Sequence, residues 1–589
     1  MPRVSLLGLL VGTQLVLQSG AQTWCGKYYK PGESIVTPGG NFPLPAVSTD
    51  PLLAFQCAPA IRPYLAEDVS SPATVLIDSP VVYYQIANAV PISLPTGPCA
   101  LTNDGMLNVT VSLDDRVLAN GVVPLNATAF ELSISLDGIT PQMTPYGLTC
   151  EASYSATNGA TTSSDTTQTF SATTRLSLLP NPTNSSVTKM DLRTGALLAK
   201  SASGQGRDYE PVFPIGFYTA FDDYLSTNLS VINELKDQGF TVIHPVPTFD
   251  NMTALDEVLD RMQEVGMYLM YDMRLSYMNA TSVTEQVNAI KNRPNVLLWY
   301  TADEPDGTSD PLNATTIAYD LIYSLDGYHP VSLVLNCQDY YWPAYTAGTD
   351  IVLHDVFMVG TNVTFSNEWQ TPCTPDFGDC GCDNCMSIPA GDTAAVPPNA
   401  TYYGGPVPAN SGIGSYFDIS ERGASFGNRL QVMGWERTKA VWTVPQGFGG
   451  EEYWVRAPTG EEWVLQSIMG INQGALGVVS WEDPTTADIK AAASAFAQSL
   501  PKITPFLFNP SSVRTTYVVG GVSVATWDTA SEILVLATNT HYVNQTVSWE
   551  DVDVQGVGAT AVFTSGVVEV SSNGFMLGAV GSGAFVMTT

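Results

Sequence analysis

The sequence predicts an α/β fold, a (β/α)8 TIM barrel flanked by N-terminal and C-terminal β-sandwich domains. Three observations carry that reading. Across 206–503, short apolar runs alternate with amphipathic segments, eight of each, in a span near the ~250 residues usual for such a barrel. The flanks at 22–205 and 504–589 are rich in Thr, Ser and Val and alternate apolar with polar residues, the period of half-buried strands. An open doubly wound sheet would need fewer strands and a glycine-rich phosphate loop, which the sequence lacks.

Residues 1–21 read as an export signal. Arg3 gives a positive start, an apolar run follows, and Ser19-Gly20-Ala21 places small residues before a cut at Gln22. The run is too short for a membrane span, and no later stretch reaches the ~18 uncharged residues one requires. The expectation is a secreted, soluble, monomeric protein with no membrane partner.

In the first flank, Leu107–Leu113 and Phe130–Leu136 alternate as strands, and Asp137-Gly138 marks a turn. Barrel strands are expected at 213–218, 241–245, 267–271, 296–300, 331–335, 350–355, 440–444 and 475–480. Between the second and third, Leu255, Val258, Leu259, Met262 and Val265 fall on one helical face that stops at Gly266. Val283, Val287 and Ile290 mark the next helix. The stretch from 360 to 412 is long, Pro- and Gly-rich and holds a cysteine cluster, as befits a loop walling a cleft. After 504, Ile533-Leu-Val-Leu-Ala537 and the alternation across 561–570 again read as strands.

Active sites of such barrels lie at the carboxyl ends of the strands. The fourth strand ends Trp299-Tyr300-Thr301-Ala302-Asp303-Glu304-Pro305. This resembles the fourth-strand motif of the clan-A type of (β/α)8 glycoside hydrolases, where an Asn-Glu or Asp-Glu pair before Pro carries the acid/base. The sandwich–barrel–sandwich order is similar to that of multi-domain, secreted fungal members. The resemblance implies that Glu304 protonates the leaving glycosidic oxygen, and that the substrate is an oligo- or polysaccharide of plant or fungal walls. Asp303 stands where the clan usually has Asn, so it accepts a sugar hydroxyl's hydrogen bond but does not donate while ionised.

A second departure lies in the seventh strand, Val441-Trp-Thr-Val-Pro-Gln446-Gly-Phe-Gly449. Gln446 occupies the place of the clan's nucleophilic Glu, and a neutral amide forms no glycosyl-enzyme. Three alternatives stay open. Glu451 or Glu452 folds back into the site; a carboxylate from another strand such as Asp272, Asp355 or Glu482 serves; or the barrel binds sugar without cleaving it. Asp355 and Glu482 end strands and are the leading catalytic candidates beside Glu304. Candidate substrate contacts are Asp303, Tyr218, His244, Asp272, Asn336, Tyr340, Gln446 and Trp481, all on strand ends or the loops after them, where aromatic rings pack against sugar faces.

No Gly-x-Ser-x-Gly elbow precedes a helix and there are four histidines, which argues against a serine hydrolase; no His-Glu-x-x-His motif occurs, so no metal or other cofactor is expected. A net charge of −33 disfavours nucleic acid as a partner. Ten Asn-x-Ser/Thr sequons and nine cysteines fit an oxidising export route. Proximity pairs Cys25 with Cys57 and Cys99 with Cys150, expects disulfides within Cys373, Cys380, Cys382 and Cys385, and leaves Cys337 as the odd thiol.

Overall fold

The computed structural model describes residues 22–94, 105–155, 167–183, 185–383, 386–398, 412–555 and 557–588. The expected leader at 1–21, the sequons Asn184 and Asn399, and Cys99 and Cys385 lie outside the described residues.

Eight parallel strands close into a barrel in strict sequence order. They are β1 (Ile215–Ala220), β2 (Val242–Val246), β3 (Tyr268–Asp272), β4 (Val296–Asp303), β5 (Val331–Leu335), β6 (Ile351–Asp355), β7 (Ala440–Val444) and β8 (Val478–Asp483), and β8 pairs back onto β1. The helices between them are α1 (Ser230–Asp237), α2 (Met252–Val265), α3 (Ala280–Ile290), α4 (Ala314–Leu325), α5 (Trp342–Ala347), α6 (Phe417–Met433), α7 (Gly460–Asn472) and α8 (Ala487–Leu507). The TIM barrel is therefore present, with all eight expected strands.

Local chemistry fixes the element ends. Asn251 caps α2 by accepting from the Ala254 amide, and Gly266 ends it in the left-handed region at φ 75°. Thr459 and Glu462 form a reciprocal capping box at the start of α7. Strand alternation then sorts side chains into two layers. Tyr218, Met270, Leu298, Tyr300, Leu353 and Trp442 cluster within the barrel, while Phe217, Leu269, Trp299, Leu333 and Val352 pack against the helices. Each fully buried aromatic of this kind contributes about 3 kcal/mol.

Two of the antiparallel sheets of the amino-terminal flank enclose its main core. One has four strands in the order Arg116–Pro124, Met106–Leu113, Tyr146–Ser155 and Thr167–Leu176; the other has Phe130–Ile134, Ala73–Asp78 and Gln56–Pro59. Val75, Ile77, Val109, Val111, Leu148 and Leu176 fill the core between them. The carboxyl-terminal flank is a six-stranded antiparallel sheet completed by the hairpin of Val557–Ser571 with Gly574–Thr588. One face closes over Val522, Val535, Trp549 and Phe585, and the other sets Trp527, Leu534 and Phe563 against the barrel's helices. No described helix is long and apolar enough to cross a membrane.

The disulfides correct the proximity pairings. Cys25 bonds Cys337, across 312 residues, and Cys57 bonds Cys150 across the core of the first flank. Cys337 is thus no free thiol. The reason is topological: the chain from Thr23 onward runs over the barrel mouth before it enters the first sandwich, so residues close in sequence are not close in space. Cys373 bonds Cys380 in the loop after β6, and Cys382 is also disulfide-bonded.

Candidate active site

At the carboxyl ends of the strands lies a cavity of about 380 Å³, within the usual range for a small-molecule site. Its floor is made at the strand ends: Tyr218 of β1, Asp303 of β4 with Glu304 just beyond it, Asp355 of β6 and Trp481 of β8. The walls come from elsewhere. Phe448, Tyr453 and Trp454 follow β7, Asp379 lies in the loop after β6, and Trp24 and Tyr29 arrive from the amino-terminal strap.

Glu304 is the first residue beyond β4 and sits in the left-handed region at φ 48°, a backbone placement that costs about 1 kcal/mol or more for a residue with a Cβ. Its amide donates to the Val334 carbonyl at 3.2 Å, tying it to β5. Two residues on, the Asp306 carboxylate accepts from the amides of Gly307, Asn336 and Cys337 at 3.0, 3.2 and 2.8 Å. The turn after β4 is thereby locked to the end of β5, and the Glu304 side chain is delivered to Asp355.

Glu304 and Asp355 are hydrogen-bonded to each other. Burial, followed by the charge of Asp355, pushes the Glu304 carboxyl well above its ordinary value. Burial also raises Asp355, while the hydrogen bond from Glu304 and the charge of Arg422 pull it back. The two carboxyls are thus pushed apart in proton affinity, with Glu304 the stronger holder of the proton and Asp355 the acceptor of their hydrogen bond. The Asn336 amide donates to Asp355 Oδ1 at 3.4 Å.

Beside this pair runs an ion-paired row. Arg274 Nη1 binds Asp303 Oδ2 at 2.8 Å, its Nε binds Asp272 Oδ2 at 2.7 Å, and the same oxygen meets His244 Nε2 at 2.7 Å. The Tyr300 hydroxyl donates to Asp303 Oδ1 at 2.5 Å. The guanidinium lies 4.9 Å from the Trp481 ring and 5.3 Å from that of Tyr218. Burial lowers His244, which stays neutral, and Asp272 is held below the usual carboxylate range by Arg274 and His244 against its own burial. Asp272 orients these partners and is not a free base.

The sequence-derived candidates separate accordingly. Glu304, Asp355, Asp303, Tyr218 and Trp481 converge on the cavity, and Asn336 stands directly behind Asp355. His244 lies beneath Tyr218, with ring centroids 4.1 Å apart. Tyr340 packs under the strap, where a Cβ on Gly26 would meet its ring at 2.4 Å. Glu482 does not line the cavity; Glu451, Arg274 and Asp483 are the charges acting on it. Glu451 and Glu452 do line it, at an exposed rim.

Gln446 is buried away from the cavity, and every amide atom is engaged. Its Oε1 accepts from the Val359 amide at 2.9 Å, and its Nε2 donates to the carbonyls of Val359 at 2.9 Å and Phe448 at 3.2 Å. It splices the loop after β6 to the turn after β7. The placement of a sugar-facing residue at 446 is therefore corrected: this side chain is a backbone clamp.

Sequence reasoning missed Arg274, Trp24, Tyr29, Asp379 and the aromatic trio after β7. Arg274 had a signal, since it follows the end of β3 by two residues in a chain with only 23 Lys and Arg. Trp24 and Tyr29 had none, because they reach the site from outside the barrel. Among the described residues, one group of three ligand-type side chains gathers, Cys25, Cys337 and Asp383, and its two sulfurs are joined in a disulfide.

A TIM-barrel protein with a paired-carboxyl pocket is thus the class that fold and site define. No family model matches the sequence, and no curated protein matches it. Among solved structures, a chain described as a glycoside hydrolase aligns at 10% identity and TM-score 0.40, over 66% of this chain and 96% of that one. An α-amylase from Geobacillus thermoleovorans, solved with acarbose, aligns at 10% identity and TM-score 0.40, over 64% of this chain and 98% of that one. A β-glucuronidase from Bifidobacterium dentium aligns at 14% identity and TM-score 0.29, over 74% of this chain but only 61% of its own length. At such scores these alignments bear on neither activity nor substrate, which rest on the site alone.

Proposed function

We propose that this protein is a secreted glycoside hydrolase that cleaves O-glycosidic bonds of wall glycans with Glu304 and Asp355. The observation that carries the reading is the adjacent Glu304 and Asp355 carboxyls at the base of an aromatic-walled cavity, with Glu304 raised further in proton affinity than its partner. Two carboxyl groups with separated proton affinities are what glycoside cleavage requires.

In a retaining mechanism, whose two carboxyl groups lie ~5–5.5 Å apart, Asp355 serves as nucleophile and Glu304 as acid/base. Glu304 then protonates the departing glycosidic oxygen as Asp355 attacks the anomeric carbon, giving a glycosyl-enzyme ester. Glu304, now ionised, takes a proton from the water that hydrolyses that ester, and the starting state returns. Trp481 and Tyr218 offer ring faces to the sugar, and Arg274 holds Asp303 as an oriented hydroxyl acceptor. Gln446 does not weaken this reading, because Asp355 on β6 supplies the second carboxyl that β7 lacks. Export is supported by the leader-like start, the sequons and the disulfides.

The test is hydrolysis of a broad glycan panel by the secreted protein and its Glu304→Gln and Asp355→Asn variants, matched for folding by thermal melt. A loss of about 10²-fold or more in each variant is expected, with retained configuration of the fresh product by proton NMR. Hydrolysis unchanged in both variants would overturn the assignment. Binding without hydrolysis by the wild type would make the barrel a carbohydrate-binding protein instead.

A further inference from the structure

We infer that Trp24, carried over the barrel mouth by the amino-terminal strap, is a positioning residue for Asp355 and acts through the side-chain amide of Asn336. The inference rests on the reading of Asp355 as a working carboxyl group. It adds a residue far from the barrel in sequence to the machinery of that site.

Trp24 and Asn336 are each the neighbour of one half of the Cys25–Cys337 disulfide, whose Cα atoms are 5.7 Å apart. That bond brings the indole to the amide. Cys25 is fixed further by its amide donating to the Gly307 carbonyl at 3.1 Å. The indole ring lies on Gly307, where a Cβ would fall 2.4 Å from Trp24 Cζ2. A side chain at 307 would expel the ring.

The indole Nε1 donates to Asn336 Oδ1 at 2.9 Å. An indole has a donor and no acceptor, so it admits only the amide oxygen on its side. The Asn336 NH2 must then face the other way, towards Asp355 Oδ1 at 3.4 Å. The main chain of Asn336 has no freedom to adjust: its amide donates to Asp306 Oδ1 at 3.2 Å and its carbonyl accepts from Arg422 Nη1. Rotation of the side-chain amide is the one variable left, and Trp24 sets it. With the indole N–H gone, a half-turn would present the amide oxygen to the carboxylate.

The groups facing Asp355 make this donor count. Glu304, Asp303 and Asp306 come from β4 and the turn after it, Tyr218 from β1, Arg422 from α6 and Asn336 from the end of β5. Ionised Asp355 is favoured by three of them: the Glu304 proton, the Arg422 charge and the Asn336 amide. Losing the amide donor raises the pH at which the pair gives up its first proton.

The decisive variant is Trp24→Phe, which keeps an aromatic ring in the pocket wall and removes the N–H. On any substrate the enzyme cleaves, the acid limb of kcat/KM should move up by roughly half to one pH unit, with the plateau at higher pH largely kept. Asn336→Ala should give the same shift, and the double variant no further one. A uniform loss at every pH with the limb unmoved would mean that Trp24 only packs, and would overturn the inference.

A second readout needs no substrate. With carbon-13 at the aspartate carboxyls of the full chain, and the Asp355 signal assigned by its loss in Asp355→Asn, the lower midpoint of the Glu304–Asp355 pair should rise by the same amount in Trp24→Phe. An unmoved midpoint refutes the inference even if hydrolysis is never detected. Conversely, a shifted midpoint with hydrolysis indifferent to Asp355→Asn would remove the glycosidase reading and leave the Trp24 assignment standing. Should Trp24→Phe not fold, the paired Cys25→Ala/Cys337→Ala variant, which frees the strap, must shift the midpoint in the same direction.

Discussion

Gln446→Glu restores the carboxyl group that the clan motif would place after the seventh strand, and it separates the two readings of that position. The Gln446 Nε2 donates to the carbonyls of Val359 and Phe448, and its Oε1 accepts from the Val359 amide. A carboxylate keeps the last bond and loses both donors, leaving two buried carbonyls facing a negative charge. Each orphaned group costs about 1–3 kcal/mol, so the variant should lose about 3 kcal/mol or more at neutral pH. At roughly 2 °C or more per kcal/mol, the Tm falls by about 6 °C.

The pH dependence gives the sign. Burial against carbonyls raises the introduced group's pKa above its unfolded value, near 4.3. The penalty is therefore small below about pH 4, where the group is protonated in both states, and grows as pH rises towards its folded value. Denaturant melts of both proteins at several pH values measure it, alongside hydrolysis of the glycan panel, which should not improve. A Gln446→Glu protein of unchanged stability and higher activity would show that residue 446 faces the sugar, and would refute the clamp described above.

Two further outcomes follow from the charges of the site. Glu304→Gln should stabilise the fold at neutral pH: the wild-type carboxyl is raised by burial, so wild-type stability falls as pH climbs through and beyond the ordinary value of 4.5, while the amide has no such fall. Melts of the two proteins should converge near pH 4 and separate as pH rises; a constant gap would contradict the raised carboxyl. Arg274→Met should cost about 3–5 kcal/mol by stranding buried Asp272, and Arg274→Lys should not rescue it, because one ammonium cannot reproduce the Nε and Nη1 contacts to two carboxylates. A stability loss below 1 kcal/mol in urea unfolding would argue that Asp272 is served by His244 alone.

Much of the barrel was legible because its signals are local. The face of α2, its stop at Gly266 and the apolar runs of the eight strands follow from side-chain periodicity and capping, which need no knowledge of distant partners. Strand order was legible too, since parallel strands joined by helices pair with their neighbours in sequence. Residues that end strands share the barrel mouth, and this brought Glu304, Asp355, Asp303, Tyr218 and Trp481 into one candidate list.

Tertiary structure alone decided which way those side chains look and what closes over them. Strand ends give the height of a residue in the barrel but not its rotation, so Asp355 meets Glu304 while Gln446 turns into the wall. Nor does sequence spacing carry the 312-residue link from Cys25 to Cys337, because a disulfide between distant segments depends on how the first sandwich docks beside the barrel. The sequence determined a barrel with a carboxyl-rich mouth, through patterns that act within a turn or two of chain. The tertiary structure brought Glu304 to Asp355 and set Trp24 beside them through Asn336, because those placements depend on contacts between segments that only packing brings together.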